Sequence, residues 1–123
     1  MSAASRTSRI AELNDALRSK AGLLVPVGNG RLKGLIVITR GICELPFQKQ
    51  AEILTCVRNF DAFRESNDPY HEHDFGACDV DGVGKVFFKI DYYADENLEY
   101  GSEDPSDPDK CFRVLTIMLA EEY

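Results

Sequence analysis

The sequence predicts an α+β domain: a small antiparallel sheet of three to five strands with two helices packed on one face. Two stretches have the apolar spacing of amphipathic helices, and one stretch in the second half has the alternation and turn residues of a β-hairpin. The chain has 123 residues, 44% hydrophobic and 28% charged, which is typical of one globular domain. We therefore expect a single domain over residues 1–123.

The first helix is predicted to begin at Ser8, because serine caps helix N-termini, and to end near Lys20 before a glycine. Its apolar side chains recur three and four residues apart, as on the buried stripe of a helix. The charged residues between them, including Arg18, are expected to face solvent. The residues predicted to be buried are Ile10, Leu13 and Leu17.

A second helix is predicted from Pro46 to about Phe60. Proline suits the first position of a helix because it lacks an N–H that would have no partner there. The stripe expected to be buried comprises Phe47, Ala51, Leu54, Val57 and Phe60.

A first hairpin is predicted in the N-terminal third of the chain. Residues 23–27 and 32–39 have strand composition and flank the turn residues Gly28-Asn29-Gly30. Because Pro26 has no N–H for a sheet ladder, we expect its arm to be an edge or irregular strand.

The second half of the chain is predicted to supply the rest of the sheet. Residues 73–80 and 85–93 form the clearest hairpin, with Asp81-Gly82 in the turn. The second arm has aromatic residues on both faces, which indicates a central strand. Residues 111–120 fit a buried strand or a short helix, and their Val, Thr and Ile favour a strand.

The net charge of −7 is distributed unevenly along the chain. Residues 1–60 contain 9 Lys or Arg against 4 Asp or Glu, whereas residues 61–109 contain 3 against 15. Such an asymmetry affects solubility and the choice of partner, not the fold. We expect the acidic half to bind no nucleic acid directly and to favour a protein partner with a basic surface.

The sequence has no apolar stretch of the length that a membrane span or a secretion signal requires, which predicts a cytoplasmic protein. Thiols stay reduced in that compartment, and no two of the four cysteines have C-x-x-C spacing. We therefore expect free cysteines that pack as small hydrophobic residues.

Several motifs of the chain form a recognisable set. They are Asn67-Asp68-Pro69-Tyr70, Glu72-His73-Asp74-Phe75-Gly76, Lys89-Ile90-Asp91-Tyr92-Tyr93, and residues 13–18, 39–42, 101–108 and 113–123. Together they resemble the domain-of-unknown-function family 3768 over nearly the whole chain. The resemblance implies a small bacterial protein, often carried by plasmids or phages, with no known reaction, cofactor or ligand. The chain departs from the family pattern at residues 21–35 and at His71.

The densest group of polar residues is His71-Glu72-His73-Asp74. In an extended segment His71 and His73 share one face, and such a pair can bind a transition metal when further ligands converge. Asp68 or Asp91 would have to complete the set, because the chain has 2 histidines. The structural alternative is that a carboxylate or a backbone carbonyl holds His73, which then helps to fix its loop.

General acid–base catalysis at His73 is a further hypothesis. Histidine titrates near neutrality, and a carboxylate such as Asp91 or Glu72 can orient and tune it. No motif of a nucleophile accompanies it. The candidate catalytic residues are His73, Asp74 and Asp91.

The acidic loop over residues 103–109 is the remaining polar group. Asp104 and Asp107 fit either a weak cation site or Asx turns that fix the loop, and Arg113 is expected to pair with one of them. The complete set of candidate binding residues is Asp68, Glu72, His73, Asp74, Lys89, Asp91, Asp104, Asp107 and Arg113.

These observations leave three functional hypotheses open. The first is an acidic interaction protein of mobile elements that inhibits host restriction or CRISPR defence by binding a nucleic-acid-binding partner. The second is an enzyme or metal-binding protein with a polar site around His73, Asp74 and Asp91. The third is a regulatory or toxin-neutralising module that acts through a sheet edge. The first is favoured because the sequence has no nucleophile motif, phosphate loop or convincing ligand set, and we expect no cofactor.

Overall fold

The computed structural model describes residues 2–23 and 31–123, which form one four-stranded sheet with helices packed against it. The predicted α+β class is confirmed. No helix in this part of the chain has the length and apolar character that crossing a membrane requires. The helices and strands are α1 (Ala3–Arg18), β1 (Gly34–Ile38), α2 (Arg40–Cys43), α3 (Phe47–Asn59), β2 (Phe75–Val80), β3 (Gly84–Tyr93) and β4 (Phe112–Leu119).

The strands lie in the order β1-β4-β3-β2. Strand β3 is antiparallel to both of its neighbours, so the predicted central position of this strand is confirmed. Strand β1 instead runs parallel to β4, with Ile36 beside Leu115. The sheet is therefore mixed, whereas an antiparallel sheet was predicted. Two helices and the β2–β3 hairpin separate β1 from β4 along the chain, and such a long connection can return the chain in the parallel direction.

The hairpin of β2 and β3 follows from the sequence pattern. Gly82 lies in the turn with a φ of 78°, a conformation that glycine adopts without steric cost. Alternation along β3 then directs every second side chain to the face that the helices cover. As predicted, residues 112–119 also form a strand, β4. The side chains of β3 on the covered face are Val86, Phe88, Ile90 and Tyr92.

The hydrophobic core lies between this covered face and the two long helices. Leu17 of α1, Ile53 of α3 and Ile117 of β4 are fully buried in it. Burial of apolar side chains is the largest favourable contribution to folding, about 1.5–3 kcal/mol for each large residue. The opposite face carries Phe75 and Phe87, and the ring of Tyr123 packs against both.

Helix α1 begins earlier than predicted. Its N-cap is Ser2, whose hydroxyl accepts a hydrogen bond from the amide of Ser5 at 3.1 Å. Ser8 therefore lies within the helix, because the residues before it are compatible with helix and a second serine is available as a cap. The predicted burial of Ile10, Leu13 and Leu17 is confirmed.

Helix α3 confirms part of the predicted buried stripe. Val57 is fully buried as predicted, whereas Phe47 is 85% exposed and Ile53, which was not in the predicted stripe, is fully buried. Pro46 has extended backbone angles and is the N-cap of α3. It was predicted to be the first residue of the helix, which is instead Phe47. Residues with apolar spacing occupy two sides of this helix, and only packing against β2 selects the side that is buried.

The first predicted hairpin is described only in part. Its second arm is strand β1, although the strand begins at Gly34 rather than at residue 32. Residues 24–27 of its first arm and the turn at 28–30 lie outside the described residues.

The C-terminal turn is fastened to the start of α2 by Glu122. Its carboxylate accepts hydrogen bonds from the Thr39 hydroxyl and from the amides of Gly41 and Leu119, the last two at 3.0 and 2.9 Å. These bonds, that of Thr39 above all, lower the pKa of Glu122. They connect two segments, residues 39–42 and 113–123, that carry the family resemblance.

The close packing of β2 against Phe88 predicts the effect of Gly76→Ala. A methyl group at Gly76 would clash with the Phe88 ring and approach Phe60 to 2.8 Å, so we expect a loss of about 1–3 kcal/mol of unfolding free energy. Urea denaturation measures it. Gly101→Ala is the control, since its methyl group would meet only the Tyr92 carbonyl oxygen at 3.8 Å. Equal stability of Gly76→Ala and the parent protein would contradict this packing.

The lowered pKa of Glu122 predicts a pH-dependent contribution to stability. The ionised carboxylate stabilises the fold at pH values above the ordinary glutamate pKa, and this is lost as the pH falls through the lowered pKa of the folded state. Glu122→Gln should therefore reduce the unfolding free energy at about pH 7 and much less at about pH 3. Glu121→Gln, at an exposed position, is the control. A difference that persists unchanged at low pH would refute the role of the carboxylate.

Candidate functional site

Polar side chains meet where α1 packs against the loop before β2 and the adjoining parts of β3 and β4. Burial of polar side chains costs free energy unless they are hydrogen-bonded, so a set of them in the interior indicates a structural or functional role. We call this group the polar cluster. Its members are Asn14, Asp15, Arg18, Asp68, Glu72, His73, Tyr92 and Arg113.

Arg113 is the most deeply placed member of the polar cluster. Its side chain is fully buried on the covered face of β4, and its Nε donates to Asn14 Oδ1 at 2.7 Å. Nη2 donates to the carbonyl of Pro105, and the guanidinium lies 5.3 Å from the centre of the Tyr92 ring. Burial lowers the pKa of Arg113. Neutral oxygens and an aromatic face thus hold a buried cation.

The prediction that Arg113 pairs with Asp104 or Asp107 is wrong. Asp104 accepts hydrogen bonds from the amide and hydroxyl of Ser106, which fix the acidic loop as an Asx turn does. Asp107 lies 3.2 Å from Arg31. The Arg113 guanidinium reaches this loop at the Pro105 carbonyl, because both carboxylates are already held by the partners just named.

Asn14 connects three parts of the fold. Its Oδ1 accepts from Arg113, while its Nδ2 donates to the Glu72 carbonyl at 2.9 Å and to the Tyr92 hydroxyl at 2.8 Å. The same hydroxyl donates to Glu72 Oε1 at 2.8 Å. Burial, together with the Glu72 carboxylate, raises the pKa of Tyr92, which keeps its phenol protonated as a donor.

Asp68 shapes the loop that carries the two histidines. Its buried Oδ1 accepts the amides of Glu72 at 3.0 Å and His73 at 3.1 Å. Both His71 and His73 have a φ of 59°, a left-handed conformation that is uncommon outside glycine. The carboxylate bonds therefore hold a turn that the backbone alone would disfavour.

His73 is held on two sides. Its Nδ1 lies 3.0 Å from both carboxylate oxygens of Asp15, and its ring stacks on Phe63 with centroids 4.0 Å apart. Nε2 lies 3.9 Å from Asp68 Oδ2. Asp15 also accepts from Arg18 at 2.9 Å. The His73 side chain is 32% exposed, and its contacts connect the loop before β2 to α1.

The burial of Arg18 contradicts the prediction that this residue faces solvent. Its Nη1 donates to the carbonyls of Val57 at 2.9 Å and Phe60 at 2.7 Å, just where α3 ends. Carbonyls at a helix C-terminus have no partner within the helix and attract a cation. Arg18 thus connects α1 to the C-terminal end of α3 by hydrogen bonds to backbone carbonyls there.

The structure brings four of the predicted binding residues into the polar cluster, namely Asp68, Glu72, His73 and Arg113. Asp74 follows directly, and burial and the neighbouring Glu72 carboxylate raise its pKa. The remaining four binding candidates lie elsewhere: Asp104 and Asp107 in the acidic loop, and Lys89 and Asp91 paired at 3.0 Å on the face opposite Tyr92. His71, a candidate metal ligand, lies near Glu65.

Asp91 lies on the face of β3 opposite Tyr92 and the polar cluster that contains His73, and it is near enough to Asp74 to contribute to the raised pKa of that residue. His71 and His73 point to different carboxylates, Glu65 and Asp15. Across the described residues, no group of three or more His, Cys, Asp or Glu side chains is placed to hold a metal ion.

Sequence reasoning missed Asn14, Asp15 and Arg18 as members of a site. A signal was present, because Asn14 lies four residues after Ile10 and three before Leu17, on the apolar stripe of α1. A polar residue on such a stripe must find a buried partner. Tyr92 of β3 is a further member that the sequence did not indicate, and its hydroxyl bonds to both Asn14 and Glu72.

The connections of Asn14 predict that Asn14→Ala is strongly destabilising. It leaves the buried Arg113 and Tyr92 without their shared partner, so we expect a loss of about 3 kcal/mol in unfolding free energy, measured by urea denaturation. Asn59→Ala is the control, since Asn59 is exposed at the end of α3. A loss for Asn14→Ala no larger than for the control would show that the cluster does not stabilise the fold.

Comparison of the chain with curated proteins and with solved structures gives no significant match in either set. Residues 38–122 match the family described as "Protein of unknown function (DUF3768)". The match includes Asp68, Glu72, His73, Tyr92 and Arg113 of the polar cluster, whereas the α1 residues that complete the cluster lie outside it. Because the match covers more than half of the chain, this protein belongs to the DUF3768 family.

Proposed function

We propose that this protein is a binding protein rather than an enzyme, and that it presents an acidic surface to a protein partner with a basic surface. The observation that carries the proposal is the exposure of the carboxylates in residues 61–109, where 9 of the 15 acidic side chains are exposed. They are Asp61, Glu65, Asp79, Asp81, Asp95, Glu96, Glu99, Glu103 and Asp109.

Few of these carboxylates are neutralised within the protein. Arg31 contacts Asp109, and His71 contacts Glu65; the described residues hold no ion pair to the other seven exposed carboxylates. Exposed carboxylates without a cation attract lysine and arginine of a partner and repel the phosphates of nucleic acid. The charge therefore favours a basic protein and disfavours direct binding of DNA or RNA.

The proposed biological role is inhibition of a host-defence complex by a protein of a plasmid or phage. Restriction and CRISPR effectors bind nucleic acid through basic grooves, and a folded acidic surface fits such a groove electrostatically. The implied context of the family, bacterial mobile elements, is compatible with this role. Such a protein would act in the cytoplasm.

The alternative is an enzyme or metal-binding protein centred on His73, Asp74 and Asp91. It receives less support because Asp15 and Phe63 hold the His73 ring, and because Asp91 pairs with Lys89 on the other face. Its strongest argument is the Asp15–His73 contact at 3.0 Å, since a carboxylate can orient a histidine base.

Binding to purified restriction and CRISPR effector complexes tests the proposal. We expect at least one complex to bind, with affinity falling about tenfold or more as NaCl rises from about 50 to about 200 mM. His73→Gln should bind as tightly as the parent if it remains folded. Failure to bind any of these complexes, or binding that salt leaves unchanged, would contradict the proposal. Loss of binding in folded His73→Gln would favour the alternative.

A further inference from the structure

A groove of about 450 Å³ crosses one end of the sheet, where β3 ends and β1 and β4 begin. Ala94, Cys111 and Phe112 provide apolar lining. Charged residues Lys33, Asp95, Glu96 and Asp109 complete it. We call this depression the end groove. It combines a hydrophobic surface with carboxylates, which suits a side chain that has both an apolar stem and a cationic head.

The carboxylates of the end groove differ in their partners. Arg31 binds Asp109 with its Nε at 3.1 Å, and this hydrogen bond lowers the pKa of Asp109. Lys33 faces the same carboxylate. Asp95 and Glu96 are exposed and form no ion pair within the described residues. The groove therefore retains two carboxylates that can receive a cation from outside.

The loop that carries these two carboxylates also exposes apolar groups. Tyr100 is 74% exposed, and Leu98 is exposed beside it. The amide of Ala94 donates to the carbonyl of Tyr100 at 2.8 Å, which holds the loop as an extension of β3. An aromatic side chain on a fixed loop beside carboxylates resembles the centre of a protein–protein interface, where tyrosine is enriched.

We propose that the end groove is where the basic partner docks, by inserting an arginine side chain between Phe112 and the carboxylates of Asp95 and Glu96. This inference rests on the proposed function and names the part of the acidic surface that binds. Arginine fits because its guanidinium stacks on aromatic rings and pairs with carboxylates in the same geometry. The complementarity of charge and the apolar lining select this occupant over an acidic or purely apolar segment.

A short peptide of alternating arginine and glycine is the probe, and NMR spectroscopy of the isotopically labelled protein is the measurement. We expect amide shifts to concentrate at residues 94–96 and 109–112. A peptide with glutamate in place of arginine should produce no shifts. Shifts that concentrate on another part of the protein, or that are equal for both peptides, would overturn the inference.

Comparison of two double variants distinguishes a docking site from general attraction between charges. Asp95→Asn with Glu96→Gln should weaken binding of the arginine peptide about tenfold, because two carboxylates at the site are lost. Asp79→Asn with Asp81→Asn removes the same charge at the opposite end of the β2–β3 hairpin and should change the affinity less than twofold. Equal weakening by both pairs would overturn the inference.

The two proposals fail in distinguishable ways. If effector complexes bind the acidic half but Asp95→Asn with Glu96→Gln has no effect, the end groove is not the docking site and the proposed function stands. If no basic probe and no effector complex binds anywhere on the protein, both proposals are wrong.

Discussion

The amide of Asn14 is the constraint on which the arrangement of the polar cluster depends. A buried arginine, a half-buried phenol and the carbonyl of Glu72 all bond to it, so a single side chain of α1 contacts groups from β3, β4 and the loop before β2. Each of these groups would be costly to bury alone. These bonds hold the helix in the docked position that the structure shows.

The need of buried polar groups for hydrogen-bond partners also explains the structure of the loop that carries the two histidines. Asp68 holds two amides of a loop whose histidines have left-handed backbone angles, and Asp15 and Phe63 hold the ring of His73. Most polar groups of the cluster bond to one another, whereas Arg18 Nε and Arg113 Nη1 are buried without a hydrogen-bond partner among the described residues. Carboxylates without a cationic partner among the described residues lie on the surface of the acidic half, and this is the surface that we propose for recognition.

The sequence pattern predicted those parts of the fold that local rules determine. The hairpin of β2 and β3 was predicted because alternation and a glycine turn are local properties, and β4 because β-branched residues favour strands. The direction of β1 and the burial of Ile53 rather than Phe47 in α3 were not predicted, since each depends on which distant element packs beside it. In the site, Asp68 and His73 were identified by their motifs, whereas Asn14 and Arg18 were interpreted as parts of an ordinary amphipathic helix.

The sequence by itself determined the class of the fold, the family and the concentration of negative charge in residues 61–109, because composition, periodicity and motifs are properties of the chain. Only the tertiary structure decided that Arg113 bonds to an amide and a backbone carbonyl rather than to a carboxylate of the acidic loop, and that Asp91 lies on the face of β3 opposite Tyr92. The physical reason is that strand register and helix docking set the direction of each side chain. Neighbours in space are separated by up to 99 residues along the chain, as Asn14 and Arg113 are.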